Sequence, residues 1–363
     1  MQKLTYIIFI IIGLVACQQA EVEPLQDFGF GALPKQVMSP KNNQNTPERA
    51  ALGKLLFYDP VLSANNRISC SSCHHPSQGY ADGLALSNGF GETQKTSRNS
   101  PTVLNAAFNG MDSDGKYAPS DAPMFYDNRA QSLEEQCFGP LLSPIEMMGP
   151  NVTEEEYIRV LEEKVNAIPA YQQLFYQAYG DSIITIETVA KALASFERTL
   201  ITPNSPFDRF ARGDNTALNA KEIRGLEAFI DAGCNTCHSG PMFSDFKLHT
   251  LGVGEHPGLA LPDEGDGNYK FRTTTLRNLS FTAPYMHNGT HESLEKVMTF
   301  YEQKNSENPA VSDEELAAEF RDLNMTPFDQ SRKDEIIAFL RTLDDPTFDQ
   351  SIPAEVPSGL PVE

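Results

Sequence analysis

Two pentapeptides of one form, Cys70-Ser-Ser-Cys73-His74 and Cys234-Asn-Thr-Cys237-His238, stand 164 positions apart in this chain. Each brings two thiols and an imidazole together on a short turn, the arrangement that attaches a c-type haem. The thiols add across the porphyrin vinyl groups, and the adjoining histidine becomes the proximal iron ligand. A zinc knuckle also uses paired Cys-x-x-Cys, but it needs no histidine after each pair and keeps its halves closer in sequence. Two covalently bound haem c groups are therefore expected, on Cys70, Cys73 and His74 and on Cys234, Cys237 and His238, with His74 and His238 ligating iron. A chain that wraps two such macrocycles needs two haem-centred cores, and 363 residues suffice for two domains.

The N-terminus reads as an export signal. Lys3 precedes an apolar run from Leu4 to Val15, and Leu14-Val15-Ala16-Cys17 resembles the lipobox of bacterial lipoproteins. The run is shorter than the roughly 20 residues that a bilayer span requires, so a retained transmembrane helix is the weaker alternative. Loss of residues 1–16 would leave Cys17 to carry lipid, and residues 17–45, with Pro24, Pro34 and Pro40, to serve as a tether. A periplasmic lipoprotein held at a membrane follows, and it agrees with haem attachment, which is completed outside the cytoplasmic membrane. Cys137 is then the remaining cysteine, expected as a buried free thiol. The net charge of −21 argues against nucleic acid and favours a basic partner, such as a small electron carrier with a positive face.

Helix signals dominate the rest. Thr46-Pro47-Glu48 is an N-cap with proline at the first helical position, leading into Leu52, Leu55 and Leu56. Thr153 with Glu156 forms a capping box, and Val152 with Tyr157 a staple. Ile186, Val189, Leu193, Phe196 and Leu200 mark another helical face, which Thr202-Pro203-Asn-Ser-Pro206 ends. Asn219 with Glu222 opens a helix that delivers the chain to Cys234. Further helical patterns cover Glu292–Tyr301, Asp313–Leu323 and Asp334–Leu343, and no run alternates as a strand should. The expected fold is mainly α, with an N-terminal haem domain over 46–202, a C-terminal one over 203–345 and an irregular tail over 346–363.

From Pro47 to Leu343 the residues resemble the bacterial di-haem cytochrome c peroxidases and the related MauG-like enzymes. The landmarks are Leu52-Gly-Lys-Leu-Leu-Phe57, Arg98-Asn99-Ser100-Pro101-Thr102-Val-Leu-Asn105, Asp127-Asn-Arg129-Ala130, Gln136, Glu146-Met147, Pro206-Phe207-Asp208, Leu276-Arg277-Asn278 and Pro284-Tyr285-Met286-His287-Asn-Gly289, with both haem motifs between them. The resemblance implies two cytochrome c-like haem domains, peroxide chemistry at the N-terminal haem and electron entry at the C-terminal one. It implies Glu146 as the acid/base that moves a proton from the inner to the outer peroxide oxygen, with Gln136 orienting the substrate. It also implies a small c-type cytochrome or cupredoxin as donor, and a homodimer.

Three departures from the family pattern carry consequences. Where many members place a distal histidine, this chain has Phe90, which cannot ligate iron, so the N-terminal iron is expected to keep an open position at rest; His75 is read as a loop residue. Where classical members place a distal methionine for the C-terminal haem, this chain has Tyr301, as MauG-like enzymes do, with Met298 one turn earlier as the alternative ligand. Where a tryptophan commonly stands between the haems, this chain has Tyr126, a candidate electron relay. The resemblance further implies His287 near the propionates of the C-terminal haem, and calcium between the domains on Asn99, Thr282 and Pro284. His249, His256 and His291 are expected in loops or at the surface. Two other functions remain open: a MauG-like oxidation of a partner protein's side chains, and electron carriage without catalysis.

Overall fold

The computed structural model describes residues 28–91, 94–325 and 329–362. The export signal, Cys17 and the first part of the tether lie outside the described residues. Among those described, no helix is long and apolar enough to cross a membrane.

The fold is mainly helical. Helix α1 (Pro47–Tyr58) is capped by the Thr46 hydroxyl, which accepts from Arg49 N–H, and α2 (Glu154–Asn166) by Thr153, which accepts from Glu156 N–H. Helices α3 (Pro169–Tyr179) and α4 (Ile186–Glu197) complete the first bundle. Helix α5 (Ala220–Asp231) opens on a full capping box between Asn219 and Glu222. It packs with α6 (Leu294–Gln303) and α7 (Gln330–Leu340) in the second. Among the described residues the one strand pair is antiparallel, β1 (Leu248–His249) with β2 (Phe271–Arg272), with isolated bridges elsewhere. The pattern expected over Asp313–Leu323 is not one helix. It divides into a 3-10 turn at Asp313–Glu315 and a short helix at Ala318–Arg321, because Leu316 turns inward in extended conformation between them.

The two bundles repeat one construction. In each, the helix leading to the haem motif crosses a later helix at a glycine. A Cβ on Gly53 of α1 would lie 1.9 Å from the Ala192 carbonyl oxygen of α4, and one on Gly225 of α5 would lie 2.0 Å from that of Glu335 in α7. Only glycine permits this approach of backbones. The crossing fixes where each helix delivers Cys70 or Cys234.

Both ends of the described chain cross to the other domain. The part of the expected tether over residues 28–45 is packed, not loose: Phe30 is buried against Phe207, Phe229 and Phe243 of the second core. Leu33 N–H donates to Asp208 at 2.9 Å. The tail is irregular, as its prolines predict, yet it returns to the first core. Phe348 and Val356 are buried there, Ser358 Oγ donates to Asp59 at 2.7 Å, and Lys54 pairs with Asp349 at 2.6 Å. Apolar side chains in these segments find cover only on the far domain, which is why local composition misjudged them.

The junction itself is pinned. Thr202 is fully buried, and its hydroxyl accepts from Asn105 Nδ2 at 2.6 Å and from Asn278 Nδ2 at 2.8 Å, one residue from each domain. Nearby, Arg277 and Asp208 form a fully buried bidentate pair with both contacts at 3.0 Å, and Arg277 Nε donates to Pro241 O at 2.6 Å. Such a pair holds its loops in one arrangement because stranding either charge in the interior is costly. It thereby fixes the segment that follows His238.

Candidate active site

Each haem motif lines its own cavity, of about 460 Å³ around Cys70, Cys73 and His74 and about 250 Å³ around Cys234, Cys237 and His238. His74 Nδ1 lies 3.0 Å from Tyr80 O, and His238 Nδ1 lies 3.0 Å from Phe243 O. A carbonyl can only accept, so each Nδ1 carries the proton and Nε2 is left with its lone pair toward the cavity, the tautomer an iron ligand needs. Burial lowers the pKa of both imidazoles and keeps them neutral. Tyr80 and Phe243 adopt left-handed backbone conformations, φ 58° and 51°, to aim those carbonyls. Such strain, about 1–3 kcal/mol per residue, persists where surrounding packing demands it. The four motif cysteines form no disulfide. Two thiols and one correctly presented imidazole per cavity fit a covalently attached haem at each.

Gln136 and Glu146 both line the first cavity with His74. Glu146 follows a turn at Ser143, its N–H donating to Ser143 O at 3.2 Å, and burial raises its carboxyl pKa against the opposing pull of Arg129. No second imidazole lines this cavity among the described residues. Phe90 is not part of the wall. Its ring lies over Gly149, where a Cβ would come within 2.8 Å of it. His75 bonds Ser77 Oγ through Nδ1 at 2.7 Å and caps its own turn. Cys137 is buried and donates to Leu133 O at 3.2 Å.

In the second cavity Tyr301 and Met298 both line the wall with His238. Burial and the nearby Cys234 and Cys237 sulfurs raise the Tyr301 pKa. His287 also lines it, stacked on Phe271 with ring centroids 3.6 Å apart, and burial lowers its pKa to about 4. Thr282 and Pro284 share this wall with Asn99.

Two histidines depart from expectation. His249 is not a surface residue: strand β1 turns it toward the second cavity, where Nε2 bonds Asp245 at 2.9 Å and raises its pKa to about 10. Cys237, Asp245 and His249 offer ligand atoms within 4.8 Å of one another, but a haem attached at this motif would commit the Cys237 sulfur and leave the Asp245–His249 pair. His291 is buried beside Phe300, 3.8 Å from Glu307. His256 stays in a loop, accepting from Gly258 N–H.

Asn99, Tyr126 and Arg272 line both cavities, so they form part of the wall between the two haem sites. Tyr126 is thus placed as its position in sequence suggested. Arg272 was not anticipated, because nothing in Phe271-Arg272-Thr273 marks it locally. Glu197, buried in the wall of the first cavity and raised by burial to about 8, was also missed. A signal existed: Glu197 lies four residues after Leu193, on the apolar stripe of α4.

Helical domains that each present a thiol pair and a neutral imidazole to a cavity, one of them also holding an elevated carboxyl, define a di-haem c-type redox protein. The di-haem cytochrome c peroxidase family matches residues 47–216. The methylamine utilization protein MauG of Methylorubrum extorquens is 38% identical over 319 residues, 85% of this chain and 82% of that protein. The cytochrome c551 peroxidase of Pseudomonas aeruginosa is 35% identical over 273 residues, 72% of this chain and 73% of that one. A crystal structure of a MauG-like protein associated with microbial copper homeostasis superposes with TM-score 0.71 at 25% identity, over 86% of this chain and 95% of that one. The chain belongs to the di-haem cytochrome c peroxidase and MauG-like family, whose members carry two c-type haems.

Proposed function

We propose that this protein is a membrane-tethered periplasmic peroxidase that reduces hydrogen peroxide to water with electrons from a small c-type cytochrome or cupredoxin. The observation that carries the reading is Glu146, a carboxyl of raised pKa in the cavity of His74, with Gln136 in the same wall and Phe90 packed away on Gly149. The bound haem would supply the two electrons that cleave the O–O bond. Glu146 accepts the proton of the inner oxygen and returns it to the outer one, so that with two further protons, taken from solvent, the peroxide leaves as two waters. A raised pKa suits both roles, since it makes the carboxylate a better base for the first proton and leaves it able to return that proton to the outer oxygen. Gln136 offers an amide N–H and a carbonyl to hold the substrate. Tyr126 bridges the two cavities as an electron relay, and its phenol stays protonated because burial raises its pKa. Calcium on Asn99, Thr282 and Pro284 would brace that junction, and the acidic surface would receive a basic donor.

A second reading has its own observation. Tyr301 in the second cavity, together with the likeness to a MauG protein, favours peroxide-driven oxidation of a partner protein. Phenolate ligation would lower that haem's potential and disfavour simple electron entry. Steady-state peroxide consumption with reduced small c-type cytochromes and cupredoxins separates the readings. Turnover supports the peroxidase, whereas no turnover with any small donor, together with covalent change in a partner, supports the second. Electron carriage alone would leave peroxide intact in every assay.

A further inference from the structure

Arg272 is a cation with no carboxylate in direct contact among the described residues. Its backbone N–H donates to Tyr126 O at 2.6 Å and its Nε to Phe125 O at 2.9 Å. Among the described residues its two terminal NH2 groups have no hydrogen-bond partner, and no carboxylate lies within ion-pair distance. Arg272 lines both cavities, and burial lowers its pKa to about 10. Arg98, which lines the first cavity, is different: it pairs with Asp263 at 2.5 Å and with Asp127 at 2.8 Å. Arg277 has Asp208 at 3.0 Å. Among these three arginines Arg272 is the one with no carboxylate in ion-pair contact, Asp127 acting on it only from a distance.

A cation withdrawn from bulk water with no carboxylate in contact is costly, so a fold retains one where something of opposite sign completes it. What each cavity receives is a haem, and a haem carries two propionate carboxylates. A guanidinium presents parallel N–H donors suited to carboxylate oxygens, and it has enough of them to serve two acceptors at once. We propose that Arg272 is a propionate receptor shared by the two haems, taking one carboxylate of each. The consequence is electrostatic. A positive charge beside a haem favours the reduced iron, so one cation placed between two haems raises both potentials together. Because the same residue holds the Tyr126 carbonyl, it also fixes the aromatic ring that spans the gap. This role is independent of whether the protein reduces peroxide or oxidises a partner, because it depends on cofactor occupancy alone.

The test is a spectroelectrochemical titration of the purified two-haem protein and of R272M and R272K, with each haem followed by its own spectral signature. In R272M both midpoint potentials fall relative to the wild type; in R272K, which keeps the charge but loses the planar fork, both fall less. Potentials that stay put, or a shift confined to one haem, overturn the proposal. Should R272M fail to load two haems, a crystal structure of the wild-type holoprotein decides. Guanidinium contacts to a propionate of each haem support the shared receptor, and contact with one haem or neither overturns it.

Discussion

The Tyr126 hydroxyl donates to the amide oxygen of Asn99 across 3.3 Å, so the candidate electron relay and the candidate calcium ligand touch. An amide oxygen accepts this hydrogen bond without taking the proton. A relay through Tyr126 would therefore work with the phenol held in place rather than deprotonated. Replacing Tyr126 by Phe keeps the ring and removes the anchor, worth about 1 kcal/mol. Inter-haem electron transfer should slow roughly fivefold, by the rate equivalent of that energy. Stopped-flow reduction of the second haem, followed by transfer to the first, measures it; peroxide binding should not change.

Removal of the Glu146 carboxyl should abolish most chemistry while leaving the haem sites intact. In Glu146→Gln, kcat/KM for peroxide should fall about 10²- to 10⁴-fold, the usual weight of a positioned acid/base. The base form is the one that accepts the first proton, so wild-type kcat/KM rises with pH through the Glu146 pKa. Burial places that limb above the ordinary carboxylate range. A pH profile that is flat on its acid side would contradict the assignment.

Phe90, packed on Gly149, leaves the first cavity without a second imidazole among its described lining residues. Low-temperature electron paramagnetic resonance of the oxidised protein as isolated should therefore show a high-spin ferric signal from the N-terminal haem. Two low-spin haems would refute this. The same spectra on Tyr301→Phe and Met298→Leu identify the distal ligand of the other haem, since only loss of the true ligand alters the second set of g-values.

Burial raises Glu197 from its ordinary value of 4.5 to about 8. The folded protein then holds a proton that the unfolded chain releases. This group's effect on stability is nil below the unfolded value, becomes unfavourable as pH rises from about 4.5 to about 8, and levels off above. Glu197→Gln removes that pH dependence. The melting temperature of the variant should match the wild type near the bottom of this window and exceed it at the top, whereas a gap that ignores pH would show that the carboxyl does not titrate there.

Gly53→Ala and Gly225→Ala each force a methyl group to within about 2 Å of a carbonyl oxygen on the crossing helix. Each should destabilise its own domain by about 1–3 kcal/mol or more, and the damage should fall on the haem that helix delivers. Thermal melts read the stability. The ratio of haem to protein reads which site is lost.

The chain's local chemistry was legible where it is local. Thr46, Thr153 and Asn219 cap their helices because capping is settled within four residues, and His74 and His238 face their cavities because the pentapeptide sets thiols and imidazole together. Gln136, Glu146, Tyr126, Tyr301 and Met298 were proposed from family pattern; Gln136 and Glu146 line the first cavity, Tyr301 and Met298 the second, and Tyr126 both. What failed was exposure. His249 and His291 looked peripheral in sequence and are enclosed, and residues 28–45 looked like a tether and are packed.

The sequence by itself determined two haem attachment sites, the helices that lead to them and the polar groups that close those helices, since each depends on neighbours a few residues apart. Tertiary structure alone decided that the chain's ends cross between domains, that Thr202 is gripped from both sides, and that Arg272 and Glu197 face haem cavities. Burial and electrostatic environment are set by segments hundreds of positions away folding over a residue, and no local pattern carries that information.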